Sequence, residues 1–215
     1  MNNTSPLPSR EKLQQALESR HSKVLQEKLS QAKVAVAGLG GLGSNIAVFL
    51  ARTGIGNLHL IDFDQVDITN LNRQQYSIRQ IGMDKTEALL HNLLEINPYL
   101  SIQTHQIKVT EENLPSLFAQ DSFICEAFDR PEEKAMLVNG ILEHFPEKTV
   151  IAASGMAGYG KSNAIKTRKI SSRFYLCGDE TTDSSLGTGL MAPRVALCAA
   201  HQANLVIQLI LEGHE

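Results

Sequence analysis

A glycine-rich turn between two apolar segments contains the residues whose types and spacing point most directly to chemistry. Apolar residues 34–37 precede the turn and apolar residues 46–51 follow it, as a buried strand and a helix would. The turn itself reads Gly38-Leu39-Gly40-Gly41-Leu42-Gly43. Glycines allow the backbone to pass close to a phosphate, and the free N–H groups at the start of a helix bind the anion. The turn therefore predicts a nucleotide-binding site.

An acidic residue beyond the turn supports the same prediction. Residues 58–62 form a second apolar segment ending at Asp62, about twenty residues past the turn, where an acid binds ribose hydroxyls. A glycine turn alone also occurs where a strand and a helix merely pack closely. The flanking strand, the helix and Asp62 together favour a nucleotide. The polar residues 63–82 that follow form a loop long enough to predict a function of its own.

Two charged residues at the ends of predicted elements add to this site. Lys85 lies in the first turn of a predicted helix over 85–96, with Asp84 as its N-cap. A cation there opposes the helix dipole, so its position predicts an anionic partner. Asp129 follows a predicted strand, at the end where ligands gather in α/β sheets, and can hold Mg²⁺. It can also be the N-cap of the next helix, in which Pro131 comes early.

Hydrophobic periodicity predicts the scaffold that positions these residues. We expect a Rossmann-like three-layer α/β fold whose mostly parallel sheet is extended by antiparallel C-terminal strands. An N-terminal arm with helices, residues 1–31, precedes one nucleotide-binding domain at residues 32–215. Beyond the first βαβ unit, the predicted strands are 102–109, 121–128, 149–154, 162–167 and 172–176, and the predicted helices are 85–96, 114–119, 131–144 and 193–211.

Composition narrows the class of protein. The 215 residues carry a formal net charge of -3 and no long Lys/Arg run, which argues against a nucleic-acid or membrane surface. No apolar stretch approaches a membrane-spanning length, and no secretory signal is visible. The seven histidines lack metal-ligand spacing. The three cysteines, Cys125, Cys177 and Cys198, contain no C-x-x-C pair, so we expect neither zinc nor a disulfide framework, and a cytoplasmic location.

Four segments follow one another along the chain in an order that carries a family likeness. They are the glycine turn, residues 60–66 around Asp62, the run Asn70-Leu71-Asn72-Arg73-Gln74 with Lys85, and Asp129. This succession resembles the ThiF/MoeB/E1 superfamily of adenylating enzymes over nearly the whole chain. The compact length and residues 189–204 are most similar to the short ThiF proteins of thiamine biosynthesis. The resemblance implies an ATP-dependent adenylyltransferase, which activates the C-terminal glycine carboxylate of a ubiquitin-like sulfur carrier, ThiS, and releases pyrophosphate.

The resemblance also implies roles for individual residues. Asp62 is expected to bind the ribose of ATP, and Asp129 the magnesium ion. The expected phosphate ligands are Asn70, Arg73 and Lys85, of which Arg73 and Lys85 count as catalytic together with Asp129. The rest of the expected nucleotide site is Gly38, Gly40, Gly41, Leu42, Gly43, Asp64 and Gln74.

Two expectations concern partners. Relatives complete the site across a homodimer with an arginine from an N-terminal helix, for which Arg20 is the candidate and Arg10 the second choice. Larger ThiF proteins also carry a cysteine that joins the carrier as an acyl persulfide. The equivalent residues 184–187 contain no cysteine, so Cys177 is either a substitute or a packing residue. Residues 178–190 are expected to cover the carrier's tail, or else to be a solvated connection.

Three alternatives stay open at this point. The first is a ThiF-like dehydratase that cyclises a threonylcarbamoyl-adenosine in tRNA, against which the slight net acidity argues. The second is an NAD-dependent oxidoreductase, which leaves Asn70, Arg73 and Lys85 unexplained. The third is a non-catalytic E1-like scaffold that binds a carrier without activating it. Such scaffolds usually lose the phosphate-binding residues that this sequence keeps.

Overall fold

A seven-stranded sheet with helices on both faces forms the protein. The computed structural model describes residues 7–183 and 187–213. The strands are β1 (Lys33–Ala37), β2 (Asn57–Asp62), β3 (Ser101–Gln106), β4 (Phe123–Glu126), β5 (Thr149–Ala153), β6 (Lys166–Ser171) and β7 (Phe174–Gly178). The helices are α1 (Arg10–His21), α2 (Lys23–Gln31), α3 (Gly41–Thr53), α4 (Lys85–Ile96), α5 (Leu114–Leu117), α6 (Pro131–His144) and α7 (Ala192–Glu212). Short 3-10 helices lie in the loops at Ile68–Asn70, Ile78–Gln80 and Ser162–Ala164.

The strand order determines where a ligand can bind. The strands lie in the order β3-β2-β1-β4-β5-β7-β6, and in the described part of the chain only β6 and β7 pair antiparallel. The order reverses between β1 and β4, and ligands of open α/β sheets bind at the carboxyl ends of the strands beside such a reversal. The predicted Rossmann-like class is confirmed, with β7 continuing the parallel sheet beside β5 and β6 adding the antiparallel edge.

Strand β1 is buried on both faces and divides the core into two layers. Val34 and Val36 belong to the apolar cluster that includes residues of α3, α4 and α7. Ala35 and Ala37 belong to the cluster on the other face, which includes residues of α5 and α6. These four side chains are fully buried. The two helix layers and the sheet between them are the three layers that the sequence predicts.

Helix α7 corrects the expectation that no apolar stretch approaches a membrane-spanning length. Among the described residues it is the one helix long and apolar enough, at 21 residues, to cross a membrane by length and composition. A core helix passes the same test, and α7 packs against α3 and β5. Cys198 and Val206 of this helix are fully buried.

Two helix starts are predicted correctly because the sequence marks them with Asp84 and Pro131. Helix α4 begins after Asp84 and α6 begins at Pro131, as predicted. The predicted strand at 162–167 is wrong, because a 3-10 helix occupies its first residues and β6 starts at Lys166. All six residues of β6 are exposed, so no alternation of apolar side chains marks this edge strand.

Candidate functional site

A cavity of about 590 Å³ opens at the carboxyl ends of the central strands. Its walls are the glycine turn, the loop after β2, the segments after β4 and β5, and part of the residues that follow β7. The predicted site residues that line it are Gly38, Gly40, Gly41, Leu42, Asp62, Asp64, Asn70, Arg73, Gln74, Lys85 and Asp129. Gly43, Arg20 and Arg10 are not among the lining residues. The fold thus brings most of the predicted site together around one cavity.

The glycine turn is shaped by close backbone contacts. Gly38 has a φ of 88°, which favours glycine, and a Cβ there would lie 2.7 Å from the carbonyl oxygen of Ala127. A Cβ on Gly43 would lie 1.8 Å from the carbonyl oxygen of Gly38, so Gly43 supports the turn without lining the cavity. Helix α3 begins directly after Gly40, and among the described residues no side chain caps its start. An anion at this end of the cavity would find free donors and a favourable helix dipole.

Asp62 connects the end of β2 to the glycine turn. One carboxylate oxygen, Oδ2, accepts a hydrogen bond from the backbone N–H of Leu39 at 2.6 Å, and the other, Oδ1, accepts one from Asp64 at 2.8 Å. Burial raises the pKa of Asp62, and the nearby Lys85 ammonium opposes this shift. The carboxylate still has lone pairs for a ligand hydroxyl, since each oxygen can accept two hydrogen bonds.

Lys85 has the anionic partner that its position predicts. Its Nζ lies 2.8 Å from Asp64 Oδ2 and 4.0 Å from Asp62 Oδ2. The Lys85 side chain is only 7% exposed, whereas that of Asp64 is 51% exposed. The ammonium is therefore buried at the cavity wall, and its partner carboxylate is about half exposed to solvent. The anionic partner of Lys85 among the described residues is therefore the Asp64 carboxylate.

The loop after β2 places Arg73 at the cavity. The N–H of Asp67 donates to the side chain of Asn70 at 3.1 Å, which closes a capping box at the first 3-10 helix. The Arg73 guanidinium donates to the carbonyl of Thr69 at 3.0 Å and to Asn72 Oδ1 at 2.8 Å. These two bonds use one guanidinium nitrogen, NH1, and a guanidinium has five N–H donors. Arg73 can therefore donate to a ligand while it keeps its hydrogen bonds to Thr69 and Asn72.

Side chains outside the predicted set anchor this loop to helix α3. Asn45 Nδ2 donates to the carbonyl of Arg73 at 3.1 Å, and Gln75 donates to Asn45 Oδ1 at 2.7 Å. The hydroxyl of Tyr76 donates to the carbonyl of Leu39 at 2.8 Å, and burial raises the pKa of that phenol. Sequence reasoning missed these anchors. The available signal was Asn45 itself, a polar residue on an otherwise largely apolar helix.

Gln74 lines the cavity and has one unpaired acceptor. Its Oε1 is buried and has no hydrogen-bond partner among the described residues. An unsatisfied buried polar atom costs free energy, of the order of 1–3 kcal/mol. A ligand donor at this position would remove that cost. This orphaned atom and the start of α3, which has no side-chain cap, are the features that best fit a bound nucleotide.

Asp129 is exposed and lines the cavity. Its interpretation as a helix N-cap is wrong, because Arg130 occupies the N-cap position of α6 and the Asp129 side chain makes no capping hydrogen bond there. No group of three or more His, Cys, Asp and Glu residues that could hold a metal occurs within residues 7–183 and 187–213. Mg²⁺ usually binds one or two carboxylates and completes its shell with water and phosphate oxygens. Asp129 beside a bound nucleotide fits that requirement.

The cysteines lie away from the cavity. All three are free and fully buried, and none lines it. Burial raises the pKa of Cys177 to about 11 and that of Cys198 to about 12. Cys177 is therefore placed as a packing residue on β7. The predicted loop over residues 178–190 is described only in part. Residues 184–186, which belong to the stretch where larger ThiF proteins carry their cysteine, lie outside the described residues.

Two ion pairs that support cavity-lining segments come from residues outside the predicted set. Lys134 binds Glu126 at the end of β4, and Arg194 at the start of α7 binds Asp179. The partners in each pair come from different elements, so no periodic pattern in the sequence links them. Both pairs support segments that line the cavity, namely the residues after β4 and those after β7.

Comparison with known proteins identifies the relatives of this chain. The profile of the ThiF family matches residues 13–215. The molybdopterin-synthase adenylyltransferase of Salmonella typhimurium is 30% identical over 190 residues, which are 86% of this chain and 75% of that protein. The adenylyltransferase and sulfurtransferase UBA4 of Candida glabrata is 32% identical over 158 residues, 73% of this chain. The chain covers only 36% of UBA4 and 46% of a Haemophilus influenzae molybdopterin-synthase adenylyltransferase.

The fold is shared with solved structures. The E. coli tRNA N6-threonylcarbamoyladenosine dehydratase in complex with ATP superimposes with a TM-score of 0.84 at 22% sequence identity. The superposition covers 95% of this chain and 97% of that chain. A sequence identity of 22% shows only that the two proteins share a fold. The match to the family profile spans nearly the whole sequence, and on that ground the chain belongs to the ThiF family.

Proposed function

We propose that the protein is an ATP-dependent adenylyltransferase that activates the C-terminal carboxylate of a ubiquitin-like sulfur carrier. The observation that carries this proposal is the convergence of Arg73, Lys85 and Asp129 on one cavity beside an uncapped helix start. Several relatives support it by name, since they are adenylyltransferases. The E. coli dehydratase of the same fold was solved with ATP and with AMP, which supports a nucleotide as the ligand of this cavity.

The reaction needs no general base. The carrier carboxylate is ionised at neutral pH, because the pKa of a terminal carboxyl is about 3.5. One of its oxygens attacks the α-phosphorus of ATP, the bond from that phosphorus to the bridging oxygen breaks, and pyrophosphate leaves with the electron pair. The protein must align the two reactants and neutralise the negative charge that builds up on the phosphates.

The cavity residues suit these tasks. The N–H groups at the start of α3 and the Arg73 guanidinium would bind phosphate oxygens, and Asp62 would accept a bond from a ribose hydroxyl. Lys85 would stabilise charge on the phosphates from its buried position. Asp129 would hold Mg²⁺, which neutralises charge on the phosphates and orients the leaving group.

The finer assignments form part of the proposal. We assign the carrier to the ThiS class and the pathway to thiazole formation for thiamine, on the resemblance to short ThiF proteins. We also propose a cytoplasmic homodimer in which Arg20, exposed on α1, reaches the cavity of the other subunit. Arg20 does not line the cavity of its own chain, as this arrangement requires.

A second candidate is a tRNA threonylcarbamoyladenosine dehydratase. The E. coli enzyme of that name matches this chain over nearly the full length of both chains, which is the observation in its favour. Both candidates activate a carboxylate with ATP, so the cavity chemistry is the same. The net charge of -3 argues against a tRNA surface.

Transfer of label from ATP distinguishes these candidates. The protein is incubated with Mg²⁺, ATP labelled at the α-phosphate, and either a ThiS-like carrier or threonylcarbamoyl-modified tRNA. The proposal expects labelled AMP on the carrier, seen by acid gel and mass spectrometry, and none when the carrier lacks its last two glycines. Consumption of ATP to AMP only with the modified tRNA would establish the second candidate instead.

The thiols are expected to take no part in adenylation. Treating the folded protein with iodoacetamide should change the rate of carrier adenylation by less than about twofold, because buried thiols with raised pKa values react slowly. Mass spectrometry would follow carboxamidomethylation of the three cysteines, with the denatured protein as the control for full labelling. Loss of activity in proportion to modification of Cys177, together with an inactive Cys177→Ser variant, would contradict this prediction.

A further inference from the structure

A buried ion pair at the end of β4 has an arrangement that the proposed chemistry does not use directly. The carboxylate of Glu126 is fully buried, and Lys134 Nζ lies 2.7 Å from its Oε2 and 2.9 Å from its Oε1. Burial raises the pKa of Glu126, and the Lys134 ammonium opposes that shift. The Lys134 side chain is 22% exposed and lines the cavity.

The pair holds both backbone polar groups of one residue. The N–H of Phe128 donates to Glu126 Oε1 at 2.7 Å, and Lys134 Nζ donates to the carbonyl of Phe128 at 3.1 Å. Lysine has three N–H donors, and the two carboxylate oxygens and this carbonyl account for all of them. The donors of Lys134 are thus matched by acceptors of the protein itself, although the side chain lines the cavity.

The residue that the pair holds lies between the glycine turn and Asp129. The N–H of Ala127 donates to the carbonyl of Ala37 at 2.8 Å, just before the turn begins. The carbonyl of Ala127 is the atom that a Cβ on Gly38 would approach to 2.7 Å. Phe128 follows directly, and Asp129 comes next at the cavity wall. The position of the Asp129 carboxylate therefore depends on the backbone that the ion pair fixes.

Stability alone is a weak explanation for this pair. Replacing a buried ion pair with apolar residues of similar volume is often neutral or stabilising, because desolvation offsets the attraction. What apolar residues cannot do is bind the N–H and the carbonyl of Phe128. Residues behind a metal ligand act in this way, by fixing the ligand's orientation.

We propose that Glu126 and Lys134 are a positioning pair, which fixes the Phe128 backbone and thereby aims Asp129 at the Mg²⁺ of bound Mg-ATP. The role of Asp129 in this inference rests on the proposed function. The effect of the ion pair on the Phe128 backbone is independent of it. The two parts can be tested separately.

The first test measures the backbone without any ligand. Amide hydrogen exchange is followed at Phe128 in the wild type and in Lys134→Met. The exchange of that amide should accelerate by at least about tenfold in the variant, since the turn opens more often. The matched control is Lys148→Met. Lys148 is also a buried lysine that donates to carbonyls, at 2.9 Å and 2.6 Å, but it does not line the cavity. Unchanged exchange at Phe128 in Lys134→Met would overturn the proposal.

The second test measures how strongly Mg²⁺ improves ATP binding, by calorimetry with and without the ion. Lys134→Met should lose about 10- to 100-fold of the improvement, as loss of a residue behind a metal ligand typically does. Asp129→Ala should also lose this improvement. The variant that combines Asp129→Ala with Lys134→Met should lose no more of it than Asp129→Ala alone. Lys134→Arg, which keeps donors for the carboxylate and the carbonyl, should recover most of it.

Two further outcomes are informative. If Lys134→Met fails to fold, the uncharged pair Glu126→Leu with Lys134→Met removes the buried charge and should show the same loss of the Mg²⁺ effect. If the folded Glu126→Leu, Lys134→Met variant keeps the full improvement of ATP binding by Mg²⁺, the proposal is overturned. If Asp129→Ala keeps the full Mg²⁺ effect while Phe128 exchange responds as expected, the failure lies in the proposed role of Asp129 and not in the effect of the pair on Phe128.

Discussion

Replacing Arg73 with alanine is expected to lower the rate of carrier adenylation by at least about a hundredfold, equivalent to about 3 kcal/mol of transition-state stabilisation. The guanidinium lines the cavity, and the backbone that carries it is anchored to α3 through Asn45. Its charge is available where the phosphates would lie, and an alanine offers none. Arg73→Lys should recover only part of the rate, because an ammonium lacks the planar donor fork. The measurement is the initial rate at saturating ATP.

The control for this prediction is Arg79, an exposed arginine on the neighbouring 3-10 helix that does not line the cavity. Arg79→Ala removes the same net charge and should keep the rate within about twofold, because long-range interactions of exposed charges are largely screened. A rate for Arg73→Ala close to that of Arg79→Ala would show that Arg73 does not stabilise the transition state.

Breaking the ion pair of Arg194 and Asp179 is expected to lower the free energy of unfolding more than breaking an exposed ion pair does. Both side chains are 5% exposed. Arg194 Nε donates to the carbonyl of Ala157 at 2.9 Å, and its NH2 group binds the Asp179 carboxylate. Asp179→Ala leaves a buried guanidinium without its counter-charge, which should lower the free energy of unfolding by about 3–5 kcal/mol in urea titrations. The Thr181 and Thr182 N–H groups would also lose their acceptor.

The exposed pair of Arg168 and Glu180 is the matched control. It lies next to the same segment, and its side chains are 51% and 38% exposed. Glu180→Ala should therefore cost less than about 1 kcal/mol. Equal losses for Asp179→Ala and Glu180→Ala would contradict the role given to burial.

The same carboxylate predicts how stability depends on pH. Burial raises the pKa of Asp179, but hydrogen bonds from Thr181, Thr182 and Arg194 prevail and lower it to about 2, below its unfolded value of 3.8. A carboxyl whose pKa is lower in the folded state stabilises the protein above the unfolded pKa. That contribution should disappear as the pH falls from 3.8 towards 2. Asp179→Asn should flatten this part of the curve of unfolding free energy against pH.

The parts of the site that could be predicted from sequence are those with local signals. The glycine turn and Asp62 lie close together along the chain, and Asp84 and Pro131 mark the starts of α4 and α6. The fold follows from these elements, because strands joined by helices give a parallel sheet. Asp129 shows what the sequence could not decide, because an aspartate suits both a metal ligand and a helix N-cap. Only the structure shows that Arg130, and not Asp129, holds the N-cap position of α6.

The supporting contacts could not be predicted in the same way. Lys134 and Glu126 are eight residues apart but belong to a helix and a strand, and Asp179 reaches Arg194 across the segment between β7 and α7. Such pairs depend on the packing of separate elements, which no single segment encodes. The fully exposed strand β6 was misplaced for a related reason, since it has no buried face to give a pattern.

The most direct test of the proposed function is ATP-pyrophosphate exchange in the presence of Mg²⁺, with and without a purified ThiS-like carrier. The account predicts exchange that requires the carrier and its terminal Gly-Gly and that disappears in Arg73→Ala. That result would establish reversible adenylation of a carrier carboxylate at this cavity. ATP binding without exchange for any ubiquitin-like carrier would contradict the account.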